Sequence, residues 1–191
     1  MTEIILASAS PRRLALLKQI GVVPDGVEPA DIDEAVLPRE TPARYVLRMA
    51  RQKAEKVACA KGGDAFVLAA DTAVACGSRV LPKAETEEQA AECLNMLSGR
   101  RHTVFGGICL ITPDGRAVSR VVRTAVVFAR LTDAQKRDYL DGGEWRGKAG
   151  GYAIQGKAAV FVRQIMGSYS NVVGLSLYET ANLLNGNGVG V

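Results

Sequence analysis

Three polar clusters stand where predicted strands give out: Ser8-Ala9-Ser10-Pro11-Arg12-Arg13, Asp71-Thr72, and the glycine-rich stretch from Gly150 to Lys157. In open α/β sheets a ligand crevice lies beyond the carboxyl ends of the strands, so a site is sought there. The first cluster offers two hydroxyls, two guanidiniums and free N–H groups at a helix N-terminus, all suited to phosphate. The same residues also fit a plain helix start, with Ser10 capping and the arginines solvated. Asp71 ends a wholly apolar run, where a carboxylate is costly unless it caps, pairs or coordinates a cation. With Asp33 and Glu34 it could hold a divalent metal by hard oxygen ligands; the plainer reading is a cap on the following turn. Phosphoryl chemistry needs cations on the phosphate oxygens and a carboxylate–metal pair to place a water. The chain holds both halves, and spacing alone does not bring them together.

Charge is segregated between two neighbouring segments. Residues 25–34 carry Asp25, Glu28, Asp31, Asp33 and Glu34 with no basic residue, whereas residues 39–61 carry seven basic groups against Glu40 and Glu55. The second segment opens Thr41-Pro42, a cap followed by a first-turn proline, and reads as a helix of about five turns. At 100° per residue, Val46, Met49, Ala50 and Val57 fall within an arc of about 100°. Lys53 lies in the middle of that apolar stripe, while Arg44, Arg48 and Arg51 lie away from it. A lysine there either snorkels to the edge or faces a pocket holding an anion. Lys83, Lys148 and Lys157 fall on predicted loops, where solvation is the default, and His102 reads as a surface or strand-end residue.

The elements that would position these groups alternate. Glu3 to Ala7 reads as a short strand and Pro11 to Ile20 as a helix stopped by Gly21. Phe66 to Ala70 is a strand, Ala73 to Leu81 a hairpin turning at Gly77-Ser78, and Glu85 to Leu97 an acid-led helix. Thr103 to Ile111 and Val118 to Ala129 form a long antiparallel pair around Pro113-Asp114-Gly115. Thr132 to Leu140 is helical, residues 141–157 are a functional loop, Ala158 to Ile165 is a strand and Val173 to Leu184 a helix. The predicted architecture is mixed α/β, one extended unit over residues 1–191, with two lobes around a cleft as a variant.

Composition narrows the function classes. The 191 residues are 48% hydrophobic and 23% charged, as in ordinary globular proteins, which excludes disordered and low-complexity readings. A net charge of +4 suits phosphate-bearing ligands but is too weak for a nucleic-acid binder. The four cysteines are spaced 16 or 17 apart with no CxxC pair, and the single histidine is too few for a typical zinc site. Cys76 and Cys109 lie in apolar company, as buried free thiols do, so a reducing cytoplasm is expected. Glu3 stands where a signal peptide wants basic residues, and no apolar run approaches the length of a membrane span.

In this order the motifs resemble the Maf family of nucleoside triphosphate pyrophosphatases. The matching pieces are Leu6 to Arg13, Ala50-Arg51-Gln52-Lys53-Ala54, Ala70-Asp71-Thr72, Leu97 to His102, Lys148 to Gly156, and Ser170 to Leu175. The resemblance implies an elongated mixed α/β sheet with flanking helices and a central cleft, like the inosine triphosphate pyrophosphatases. It implies hydrolysis between the α- and β-phosphates, with a divalent cation (Mg or Mn), a role in cleaning the nucleotide pool and a link to cell-division arrest. Asp71 would accept the proton from water and stand near the metal, and Glu34 would be the second carboxylate. Ser8, Arg13, Lys53 and Lys83 would hold the triphosphate. Arg12, Thr72 and Gln155 match the branch acting on dTTP and UTP; the branch acting on 7-methyl-GTP has Trp, Gln and Glu there. Family members are often homodimers, and neither a membrane nor stable nucleic-acid binding is expected.

Three departures stand out. Pro82-Lys83-Ala84 replaces the usual Lys-Pro order, Gly151 and Ala153 exchange the usual Ala and Gly, and Ser176 replaces a common Pro. Two other readings remain: the same chemistry on a modified or purine nucleotide, and a nucleotide-binding regulator of division whose hydrolysis is incidental. Ten aromatic residues without basic–aromatic interleaving speak against an RNA-binding module.

Overall fold

The chain begins with a strand, β1 (Glu3–Leu6), and a tight turn into α1 (Pro11–Gln19), with Pro11 at its first position. This computed structural model describes residues 3–191; Met1 and Thr2, part of the N-terminus read above, lie outside the described residues. After a two-residue strand β2 (Gly26–Val27) the chain runs without helix or strand to α2 (Pro42–Lys61), capped by the Thr41 side chain on the Arg44 amide. Next come β3 (Ala65–Cys76), β4 (Arg79–Leu81), β5 (Lys83–Ala84) and α3 (Glu87–Leu97). The helix α3 opens with a reciprocal capping box between Thr86 and Gln89.

The long hairpin β6 (Arg101–Ile111) and β7 (Ala117–Phe128) follows, then α4 (Asp133–Asp141), β8 (Lys148–Ala149), β9 (Val162–Met166), α5 (Tyr169–Val173) and α6 (Leu177–Gly186). The main sheet runs β2-β1-β3-β6-β7-β9, with β4 also on β3, and β5 pairs with β8 in a separate two-stranded ladder. β1 is parallel to β2 and β3, while the β3–β6, β6–β7 and β7–β9 pairs are antiparallel. The mixed α/β sheet with flanking helices is as expected.

Alternation along β3 divides the core. Leu68, Ala70 and Val74 pack on one face with α1, α3 and α6, while Val67, Ala69 and Ala73 pack on the other with α2. The stripe read from the sequence, Val46, Met49, Ala50 and Val57, is the buried face of α2. That helix lies very close to the sheet: a Cβ on Gly107 of β6 would stand 2.1 Å from the Val46 carbonyl oxygen. None of the helices among the described residues is long and apolar enough to cross a membrane. The cysteines are free, with Cys93 and Cys109 buried and Cys76 only partly so.

Three segments differ from expectation. β3 does not stop at Ala70 but continues through Asp71 and Thr72 to Cys76, because β6 pairs with it from Val67 to Ala75. The segment read as a strand from Ala158 begins as a 3₁₀ turn, Lys157–Phe161, whose first amide donates to Glu144. The last helix starts at Leu177 rather than Val173, which instead ends the short helix α5; Gly174 (φ +147°), a conformation L side chains rarely adopt, separates the two.

Candidate active site

Asp71 lies within a strand and still borders a cleft, because the ladder on one side of β3 is interrupted. β1 ends at Leu6, opposite Leu68, and β4 reaches back only to Val74, opposite its last residue Leu81, so neither strand neighbours residues 69–73 on that edge. The cleft opens at this gap. Alternation then sends neighbouring side chains to opposite faces: Asp71 meets α2, and Thr72 meets α1 and the α5–α6 turn.

On the α2 face the Lys53 ammonium is 2.7 Å from Asp71 Oδ1 and 2.6 Å from Glu34 Oε1. Lys53 and Asp71 are buried at 7% and 4% exposure, so the lysine on the apolar stripe faces carboxylates rather than snorkelling. Lys83 of β5 closes on the other Glu34 oxygen. Burial works against a charge on Glu34, but hydrogen bonds from Lys53 and Lys83, reinforced by their charges, hold its carboxyl down at about 2. Two carboxylates thus converge on one positive charge. This donor set fits a Mg²⁺-like ion, which takes one or two carboxylates and completes its shell with substrate phosphates and water. Among the described residues no group of three or more His, Cys, Asp or Glu side chains could hold a metal, and Asp33 instead caps the Ala35 amide.

On the opposite face Arg13 is fixed by three contacts. Its Nε donates to the Gly174 carbonyl at 2.9 Å, Nη1 to Ser8 Oγ at 3.3 Å and Nη2 to Thr72 Oγ1 at 3.2 Å. Thr72 in turn donates to the Gly174 carbonyl at 3.3 Å. Burial lowers the Arg13 pKa, and Asp71 is the main charge opposing that. The Gly174 turn is seated by Asn171, whose buried amide donates to Val104 O and Thr124 Oγ1. Gly106 leaves the room, since a Cβ there would stand 1.9 Å from Asn171 Oδ1.

The cleft has a volume of about 390 Å³, within the range of small-molecule sites. Every predicted site residue lines it: Ser8, Arg12, Arg13, Glu34, Lys53, Asp71, Thr72, Lys83 and Gln155. The order Pro82-Lys83-Ala84 leaves Lys83 on the cleft, because β5 pairs it with Ala149 of β8. The same ladder brings in Lys148, which sequence reasoning left to solvent. Burial first, and then Arg12, lowers its pKa. Val74, Val104, Tyr152 and Ile154 add apolar lining to the cleft, and Gln155, next to Ile154 in the chain, is exposed.

His102 is not a surface residue. It is 2% exposed, donates to or accepts from Tyr152 Oη at 2.8 Å through Nε2, and packs edge-on against Phe128. Burial holds its pKa down at about 4, so the ring is neutral at pH 7. The signal for it was alternation: β6 begins at Arg101, which puts His102 and Val104 on the same inward face.

A family model described as "Maf-like protein" matches residues 3–187. A curated protein named dTTP/UTP pyrophosphatase from Caulobacter vibrioides is 60% identical, over 97% of this chain and 95% of that one. Another of the same name from Paramagnetospirillum magneticum is 60% identical over 98% of each chain. The solved structure of a HAM1 protein from Coxiella burnetii aligns over 97% of this chain and 100% of its own, with 19% identity and a TM-score of 0.53; this likeness concerns the fold alone.

Proposed function

The chain belongs to the Maf family, and from that premise we propose that it hydrolyses nucleoside triphosphates, dTTP and UTP foremost, to nucleoside monophosphate and pyrophosphate. The observation that carries this reading is the buried Lys53–Asp71 pair, 2.7 Å apart, at the strand gap of a cation-lined cleft. Relatives named dTTP/UTP pyrophosphatase, 60% identical to this chain, support the substrate class.

In this reading the triphosphate lies along Ser8, Arg12, Lys83 and Lys148, with Arg13 held rigid behind it by Ser8, Thr72 and Gly174. Asp71 takes the proton of a water whose oxygen adds to phosphorus as the α–β anhydride P–O bond breaks and pyrophosphate departs. Lys53 holds the Asp71 carboxylate in place. Glu34 and Asp71 would hold a Mg²⁺ or Mn²⁺, which supplies charge stabilisation to the phosphate oxygens when bound. The base sits toward Tyr152 and Ile154, where the Gln155 amide can hydrogen-bond a pyrimidine edge and discriminates once the bound base covers it. A single pyrophosphatase domain, a cytoplasmic setting and a homodimer belong to the proposal on the family resemblance alone.

The test is pyrophosphate release from a panel of canonical and modified triphosphates, with Mg²⁺, Mn²⁺ or chelator, for wild type and Asp71→Asn. Metal-dependent turnover of dTTP and UTP, lost in the variant, is expected. Nucleotide binding without pyrophosphate release would overturn the enzyme reading and favour a nucleotide-binding regulator.

A further inference from the structure

The segregated charges in the sequence meet in the fold. Residues 28–40 have no helix or strand of their own and run antiparallel along α2, tied to it at every turn. Glu28 pairs with Lys61 at 2.5 Å, the Asp31 carbonyl accepts from Lys56, and Glu34 pairs with Lys53. At the other end Tyr45 Oη donates to the Glu34 carbonyl at 3.1 Å. Arg48 makes the densest contact. Its Nε and Nη2 grip the two oxygens of Glu40 at 2.6 and 2.7 Å, and Nη2 also donates to the Ala35 carbonyl at 2.9 Å. The second Glu40 oxygen accepts from the Leu37 amide, which closes the loop on itself. The Glu40 side chain is only 7% exposed, and the Arg48 guanidinium lies 5.7 Å from the centre of the Tyr45 ring.

We infer that Arg48 is a positioning residue for Glu34: it fixes the backbone at Ala35 and, with Tyr45, sets where the Glu34 carboxylate stands between Lys53 and Lys83. This deepens the hydrolase reading and rests on it. Without a fixed backbone a strap lacking ladder hydrogen bonds samples many conformations, and the carboxylate is displaced from its two lysines. The planar fork spans both Glu40 oxygens and the Ala35 carbonyl from two nitrogens, a geometry a single ammonium does not reproduce, so lysine is not an equivalent here.

The experiment is a double-mutant cycle on the full chain with Arg48→Gln, Glu34→Gln and the pair, reading pyrophosphate release and melting temperature. Arg48→Gln is expected to lower kcat/KM about 10- to 100-fold, and Arg48→Lys to fail to rescue it. In the Glu34→Gln background the same change should cost less than about threefold, while its effect on melting temperature persists. Equal losses in both backgrounds would show that Arg48 acts on stability alone and overturn the inference. Hydrogen exchange is read in parallel: the Leu37 and Glu40 amides should lose protection in Arg48→Gln, with α2 unchanged. Unchanged protection there overturns the inference whether or not the protein turns over. Absence of pyrophosphate release by wild type, by contrast, overturns the hydrolase reading and leaves the strap to be decided by exchange.

Discussion

The Lys53 ammonium lies 2.7 Å from Asp71 Oδ1, with both side chains enclosed between α2 and the gap in β3. Lys53 has a second carboxylate, Glu34, whereas Asp71 has no other ion pair among the described residues. The two partners are therefore unequal. Asp71→Asn leaves Lys53 paired, so it should abolish about 10² to 10⁴ of the turnover with a small change in stability. Lys53→Met strands a buried carboxylate and should cost about 3–5 kcal/mol as well as activity. Urea unfolding of both variants checks this; equal destabilisation would contradict the asymmetry.

Lys148 shares the β5–β8 ladder with Lys83 and has Arg12 as a charged neighbour. Its ammonium is expected to contact the anionic substrate, so Lys148→Met should raise KM for dTTP about tenfold with little change in kcat. Initial-rate kinetics decide, and an unchanged KM would return Lys148 to the solvated face.

The two neighbouring glycines of β6 should differ in what they disturb. Gly107→Ala meets the backbone of α2 and should cost about 3 kcal/mol of stability. Gly106→Ala meets the Asn171 amide, which seats the Gly174 turn under Arg13 and Thr72, so activity should fall further than stability alone explains. Comparing kcat/KM with melting temperature for each variant separates the two effects.

His102 has a sign-defined pH signature. Its folded pKa of about 4 lies below the unfolded value near 6.5, so only the unfolded chain takes up a proton between them. Stability should therefore fall as pH drops from about 6.5 to 4, by about 3 kcal/mol in all. Glu34 acts in a lower window: with its carboxyl held at about 2, its contribution is complete above about 4.5 and is lost progressively as pH falls from there to about 2. Urea unfolding of wild type and His102→Gln at pH 7 and pH 4.5 tests this, and the variant should lack the histidine's share of the slope.

Much of this protein is legible in the chain itself. Alternation and helical periodicity are local, so α2, the β6–β7 hairpin and the buried stripe around Lys53 could be read before any fold was known. The polar clusters at Ser8 to Arg13 and at Asp71-Thr72 were visible because polar residues interrupting apolar runs must be compensated. What compensates them is long-range. Asp71 sits inside a strand rather than at its end, because β6 supports one edge of β3 while β1 and β4 stop short on the other. Lys148 and His102 looked like solvated residues until a second ladder and an inward-facing register placed them. The acidic segment and the basic helix were each evident in the sequence, but their antiparallel match is a pairing of separate segments, and such pairings are decided only when the chain closes on itself.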